Sequence, residues 1–135
     1  MEKMKVLVVD DEIHMVRLME YTLLRNGYQV LTAFNGVEAV SKVNSCRPDL
    51  ILLDIRMPAM DGFEVCKVLK DAPSTRDIPI IIVSIIADKD KAEIMGASSY
   101  ILKPFSPQAL IAEIQEVLGG GAASNTEVIV NSSGG

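Results

Sequence analysis

The chain has no tryptophan, one histidine and two cysteines among 135 residues, and aromatic side chains make up only 4% of it. His14, Cys46 and Cys66 do not form the Cys/His cluster that a zinc site needs. The two thiols lie in apolar, helix-like surroundings. They read as buried and unpaired in a reducing cytoplasm rather than as a disulfide. Positive charge is also scarce: 13 Lys and Arg stand against 18 Asp and Glu, for a net charge of −5. Direct nucleic-acid binding is therefore not expected, because phosphate contacts need clustered Lys and Arg. Long hydrophobic runs are missing too. The longest, Ile78 to Ala87, is broken by Pro79 and Ser84 and falls well short of the ~20 residues that span a bilayer. No secretory signal is visible near Met1. These absences point to a cytoplasmic protein with no membrane span.

What is present suffices for one folded domain. Apolar residues are 49% of the chain, which excludes disorder from end to end. The continuous runs Lys5–Val9, Leu50–Leu53 and Ile80–Val83 lack alternation, as expected of strands buried on both faces of a parallel sheet. Tyr28–Ala33 and Tyr100–Leu102 supply two further strands. Between them the apolar period changes to that of a helix. Val16, Met19 and Leu23 form one stripe, stopped by Asn26-Gly27, with Asp11 or Glu12 available as its cap. Val37, Val40 and Val43 form a second within Gly36–Ser45, ended by Pro48. Phe63, Cys66 and Leu69 share a face of Gly62–Lys70. Asp88–Met95 is a short helical piece stopped by Gly96, and Ser106 caps a last helix through Leu118. Five strands alternating with five helices predict an α/β sandwich, its parallel sheet covered on both faces through right-handed crossovers. From Gly119 the composition turns to Gly, Ala, Ser and Asn around one apolar triplet, Val128-Ile129-Val130. Residues 119–135 read as a tail or linker remnant behind a domain at 1–118.

In open parallel sheets, ligands bind beyond the carboxyl ends of the strands. Here those ends deliver Asp10 and Asp11, Asp54, Ser84 and Lys103. One such Asp is commonly a helix cap; five polar residues on one rim are not explained that way. Two carboxylates ~4 Å apart repel by about 4 kcal/mol at an effective dielectric near 20, so a cation is expected among them. Oxygen-only donors suit Mg²⁺ or Mn²⁺. An Asp beside a divalent cation and a lysine suits phosphoryl transfer through an aspartyl phosphate. Lys103 would neutralise phosphoryl oxygens and Ser84 would donate a hydrogen bond to one of them. His14, a lone helix residue, reads as inert.

The residues Asp10-Asp11, the stretch Leu52-Leu53-Asp54-Ile55-Arg56-Met57-Pro58-Ala59-Met60-Asp61-Gly62, Ser84, and Gly96 through Phe105 with its Lys103-Pro104 pair closely resemble receiver domains of two-component response regulators. The likeness covers roughly residues 3 to 118. It implies a flavodoxin-like (βα)5 three-layer sandwich with strand order 2-1-3-4-5. By the same likeness Asp54 is the phosphoacceptor, and Asp10, Asp11 and Asp54 hold Mg²⁺ or Mn²⁺ together with the backbone carbonyl of Arg56. Lys103 contacts the phosphoryl group, Ser84 turns toward it, and Tyr100 is the aromatic switch coupled to Ser84. A cis Lys103–Pro104 bond is implied as well. The implied partners are a sensor histidine kinase or phosphotransfer protein and a downstream output protein or domain, with a dimer left open. Catalysis would extend only to the domain's own phosphorylation and dephosphorylation.

Three departures from the family pattern stand out. Ile85 follows Ser84 where a small residue is usual, and is expected to narrow access to the site. The interval from Ser84 to Lys103 is short by nearly one helical turn, so the fourth helix is expected to be short or irregular. Arg56 stands two places after Asp54, its guanidinium either solvated or near the phosphoryl group. Two rival classes fit less well. A magnesium-dependent aspartyl-phosphate phosphohydrolase usually carries an Asp where Arg56 stands. A flavin-binding module wants hydroxyls and backbone amides where Asp10-Asp11-Glu12 puts acids. Tail and context leave open a stand-alone domain or a piece of a longer regulator.

Overall fold

The computed structural model describes residues 3–119. Its strands and helices alternate as β1 (Lys5–Val9), α1 (Ile13–Arg25), β2 (Gln29–Ala33), α2 (Gly36–Cys46), β3 (Leu50–Leu53), α3 (Gly62–Asp71), β4 (Ile80–Ser84), α4 (Lys89–Ile94), β5 (Ser99–Leu102) and α5 (Pro107–Gly119). All strand pairs are parallel and the sheet order is β2-β1-β3-β4-β5. This is the flavodoxin-like architecture expected from the sequence. Val128-Ile129-Val130 and the rest of the tail lie outside the described residues, whereas Gly119 is the last residue of α5.

The alternation of side chains across the strands divides the core in two. Val6, Val8, Leu50, Leu52, Ile81 and Val83 pack with Val16, Met19 and Leu23 of α1 and Leu110 and Ile114 of α5. Leu7, Val9, Ile51, Leu53, Ile80 and Ile82 face the other way, against Ala39 and Val43 of α2, Val65, Cys66 and Leu69 of α3 and Ala92 of α4. The runs Val6–Val9, Leu50–Leu53 and Ile80–Val83 are apolar at every position because each residue has a helix layer over it, whichever way it points. Each of these fully buried Leu, Ile or Val side chains contributes roughly 1.5–3 kcal/mol. Phe105 packs against the α1/α5 layer, as a core anchor should.

Helix ends follow local chemistry, with small shifts from expectation. Glu12, rather than Asp11, caps α1: its carboxylate accepts the Met15 N–H at 2.8 Å. Asn35 caps α2, and α2 stops at Cys46, two residues before Pro48, with Arg47 between them in a left-handed conformation (φ 53°). Asp61 and Glu64 form a reciprocal capping box on α3. The fourth helix is six residues long, with Asp88 and Met95 as its caps rather than its ends; its shortness was legible. Ser106 accepts the Ala109 N–H at 3.0 Å. Both cysteines are free, but only Cys66 is buried; Cys46 is half-exposed, because it closes the last turn of α2 at the sheet's far end. Among the described residues no helix is long and apolar enough to cross a membrane.

Candidate functional site

Hydrogen bonding between strands continues one residue past their ends and pins the polar residues there. The Asp54 N–H donates to the Val9 carbonyl (3.0 Å), the Asp10 N–H to Ala33 (3.2 Å), and the Lys103 N–H to Ser84 (2.9 Å). Backbone positions of Asp10, Asp54 and Lys103 are thus set by the sheet. Asp10 and Asp54 follow the adjacent strands β1 and β3, on whose two sides the crossovers diverge. That divergence opens the crevice in which doubly wound sheets bind ligands.

The side chains converge. Lys103 Nζ donates to Asp10 Oδ2 at 2.7 Å and lies 3.8 Å from Asp54 Oδ2. The other oxygen of Asp10 accepts the Glu12 N–H (3.0 Å), and Asp54 Oδ1 accepts the Ile55 N–H (2.9 Å). Asp10 and Asp54 are nearly inaccessible, at 1% and 6% exposure, while Asp11 sits exposed at the mouth. One carboxylate oxygen from each of Asp10, Asp11 and Asp54 lies within 4.8 Å of the others. Burial, then the charge of Asp10, raise the Asp54 carboxyl above the ordinary aspartate value. Lys103, the Ser84 hydroxyl and the Ile55 N–H act in the opposite direction without cancelling the rise. Three carboxylates face one ammonium, so positive charge is short. Hard oxygen donors with such a deficit are the set that divalent cations of the Mg²⁺ class take.

The loop between β3 and α3 is held down by close backbone packing. The Gly62 N–H donates to the Ile55 carbonyl at 2.8 Å, and a Cβ on Gly62 would stand 2.3 Å from the Asp54 carbonyl oxygen. Gly36 does the same from α2, where a Cβ would stand 2.7 Å from the Met60 carbonyl oxygen. Met57 is buried as loop packing, and Ala59 adopts φ 71°.

Ser84 is fully buried at the end of β4, and its hydroxyl accepts the Ile86 N–H at 3.2 Å. Tyr100 is half-buried against the α2/α3/α4 layer, and its hydroxyl accepts the Asp88 N–H at 3.1 Å. The β4–α4 connection is therefore tied to both. Lys103–Pro104 is cis. Ile85 is 61% exposed, and the cleft of about 580 Å³ beside Asp11 is lined by Ile86 rather than by Ile85. After Ser84 the chain leaves the sheet, so strand alternation no longer tells which side chain turns inward. The Arg56 side chain is exposed and lines the same cleft. Sequence reasoning missed Lys91, which lines the cleft from α4 with its ammonium 4.6 Å from the Phe63 ring centroid. The only signal was its place three residues after the Asp88 cap. His14 is exposed on α1 and stands outside the carboxylate group.

A family model for the response regulator receiver domain matches residues 6–115. The chain belongs to that family. Phosphorylation of an aspartate by a kinase is the family's known role. Among relatives of this receiver domain, the alkaline phosphatase synthesis transcriptional regulatory protein PhoP of Bacillus subtilis is 42% identical over 118 residues, covering 84% of this chain and 48% of its own. Response regulator PleD of Caulobacter vibrioides is 40% identical over 116 residues, covering 84% of this chain and 26% of its own. The receiver chain thus spans half or less of the length of these curated relatives. Chemotaxis response regulator CheY4 of Vibrio cholerae superposes with a TM-score of 0.82 at 34% identity, covering 86% of this chain and 99% of that one. The receiver domain of the Francisella response regulator 1452 gives 0.80 at 30% identity, with 90% and 100% covered.

Proposed function

We propose that Asp54 is the residue that accepts the phosphoryl group, from the phosphohistidine of a sensor histidine kinase or phosphotransfer protein. The observation that carries this reading is the placement of Lys103 Nζ within reach of both Asp10 and Asp54 at the rim of the sheet. Asp10, Asp11 and Asp54, with the backbone carbonyl of Arg56, would hold Mg²⁺ or Mn²⁺. The ion supplies Lewis-acid neutralisation of phosphoryl oxygens. An oxygen of Asp54 attacks phosphorus, a P–O bond forms, and the P–N bond to the donor imidazole breaks with its electron pair on nitrogen. Lys103 is already 3.8 Å from Asp54 Oδ2 and needs only a small movement to pair with a phosphoryl oxygen. The Ser84 hydroxyl donates to another.

Ser84 and Tyr100 act as the switch. Ser84 holds the Ile86 N–H and Tyr100 the Asp88 N–H, so a hydroxyl drawn to the phosphoryl group shifts the connection into α4. The change counts only to the extent that phosphate binds the two arrangements with different free energy. In this reading residues 1–118 are the receiver, 119–135 a tail or linker remnant, and the output a further domain or protein in the cytoplasm. The domain turns over no substrate beyond its own aspartyl phosphate. Incubation with acetyl phosphate and Mg²⁺, followed by intact-mass spectrometry, is expected to add one phosphoryl group to the native chain and none to Asp54→Asn. An adduct that persists on the variant overturns the assignment.

A further inference from the structure

We infer that Glu127-Val128-Ile129-Val130, a segment of this chain's own tail, seats in the cleft at the foot of β2 and extends the sheet along its open edge, with Glu127 against Lys3 and Arg47. The inference does not depend on which aspartate takes the phosphoryl group. β2 is an outermost strand and pairs only with β1. In a parallel ladder successive residues bond to opposite sides. The Gln29 N–H donates to the Met4 carbonyl at 2.9 Å, toward β1, so the N–H and C=O groups of Val30 and Thr32 face outward. The Lys42 ammonium covers the Thr32 carbonyl, which blunts the upper part of the edge. Among the described residues Val30 has no such cover, and a cavity of about 850 Å³ opens beside it.

The lining of that cavity selects its occupant. Leu24, Tyr28 and Val30 give it an apolar wall, and Leu24 is 54% exposed. Lys3, Lys5 and Arg47 bring three positive charges against the single negative charge of Asp49, whose carboxylate already accepts the Lys5 N–H at 2.7 Å. Among the described residues none of these three cations belongs to an ion pair. On a chain of net charge −5, such a site suits a segment that is apolar and locally anionic. The tail carries one. Within residues 120–135 Glu127 is the only charged side chain, and Val128-Ile129-Val130 is the only β-branched apolar run.

Reach and handedness agree with this seat. Helix α5 ends at Gly119, and Val117 and Leu118 of its last turn pack on the same cluster as Tyr28 and Val30. Between the end of α5 and the cleft lies the end of α1, about 10–12 Å across. The stretch from Gly120 to Thr126 can span up to about 23–25 Å, enough to pass it. The sheet has a second edge at β5, but α5 lies on the α1 face. A parallel strand reached through α5 would be right-handed beside β2, as β1–α1–β2 is, and left-handed beside β5, which the folding of twisted strands disfavours. Tethering holds the segment at roughly millimolar effective concentration near the edge, so modest contacts suffice.

The test is amide hydrogen exchange, read by NMR at Val30 and Thr32 at two protein concentrations. It compares the full native chain with Ile129→Asp, Glu127→Lys, Lys3→Glu and the paired reversal Lys3→Glu/Glu127→Lys. Lys3 is exposed ahead of β1 and the tail positions lie beyond α5, so the fold is expected to survive; the amide of Leu52 in β3 reports that it has. Ile129→Asp is expected to speed exchange at Val30 about tenfold, with Leu52 unchanged. Each single charge reversal is expected to speed it about threefold, and the paired reversal to recover most of the native rate. Equal rates at Val30 in the native chain and Ile129→Asp overturn the proposal. Protection that grows with protein concentration also overturns it, by putting a second copy on the edge, as does Ile129-dependent protection of the β5 amides instead. A paired reversal without recovery overturns the contact of Glu127 with Lys3.

Discussion

Asp54 sits where its charge is least welcome, buried beside Asp10 with a share of one lysine. Because the folded state raises its carboxyl above the ordinary value of 3.8, the folded chain binds a proton that the unfolded chain releases. The stability tied to that proton is fully present below pH 3.8 and is lost as pH rises through the raised folded value. Metal-free Asp54→Asn is therefore expected to be more stable than the native chain at neutral pH, with a higher Tm. The difference should vanish in acid. Urea midpoints from pH 3 to 8 in the presence of a chelator would check this, and a constant difference across the range would contradict it. Cys66 is a second case of burial setting chemistry. Desolvation pushes its thiol up to about 11 against the pull of Lys70, so the thiolate is scarce at neutral pH and the sulfur acts as packing.

Among the elements, the β3–α3 loop shows how tightly the site is built. A methyl group on Gly62 would collide with the Asp54 carbonyl, backbone that cannot move without displacing the carboxylate. Gly62→Ala is expected to cost about 3 kcal/mol or more and to slow labelling of Asp54 together with the loss of stability. Ala59 offers the opposite case. Its φ of 71° costs an L-residue about 1–2 kcal/mol, partly offset in glycine by unfolded-state entropy. Ala59→Gly should thus gain about 0.5–1 kcal/mol while labelling is unchanged. Denaturant titrations of both variants give the two signs. Capping explains why most boundaries were readable: Asn35, Asp61, Asp88 and Ser106 each accept an N–H of the helix they precede, and such local bonds leave a mark in sequence. Ile85 and Ile86 left none, since which of two adjacent isoleucines faces the cleft depends on how the chain leaves β4.

For the molecule as a whole, folding brings three carboxylates close enough to repel one another, and a divalent cation held among them would offset that cost. Mg²⁺ at about one hundred times its dissociation constant is expected to stabilise the native chain by about 2.7 kcal/mol. Asp10→Asn or Asp11→Asn should abolish most of that gain. Melting curves with Mg²⁺ and with NaCl at equal ionic strength separate specific binding from screening. A rise of the same size in either salt would count against a metal site at Asp10, Asp11 and Asp54.

Taken alone, the order of residues determined the periodicities, hence ten elements in alternation, and the turn and cap chemistry that separates them. Because each buried run is apolar on both faces, it also determined that the sheet is parallel and covered twice. It placed Asp10, Asp54, Ser84 and Lys103 at strand ends, and parallel strands put all such ends on one rim. Tertiary structure alone decided the distances: that Lys103 bonds to Asp10 while staying 3.8 Å from Asp54, that Tyr100 holds the Asp88 N–H, and that Lys91 lies over Phe63. These contacts join residues from different elements. Their geometry follows from how helices settle on a twisted sheet, which no local run of residues encodes.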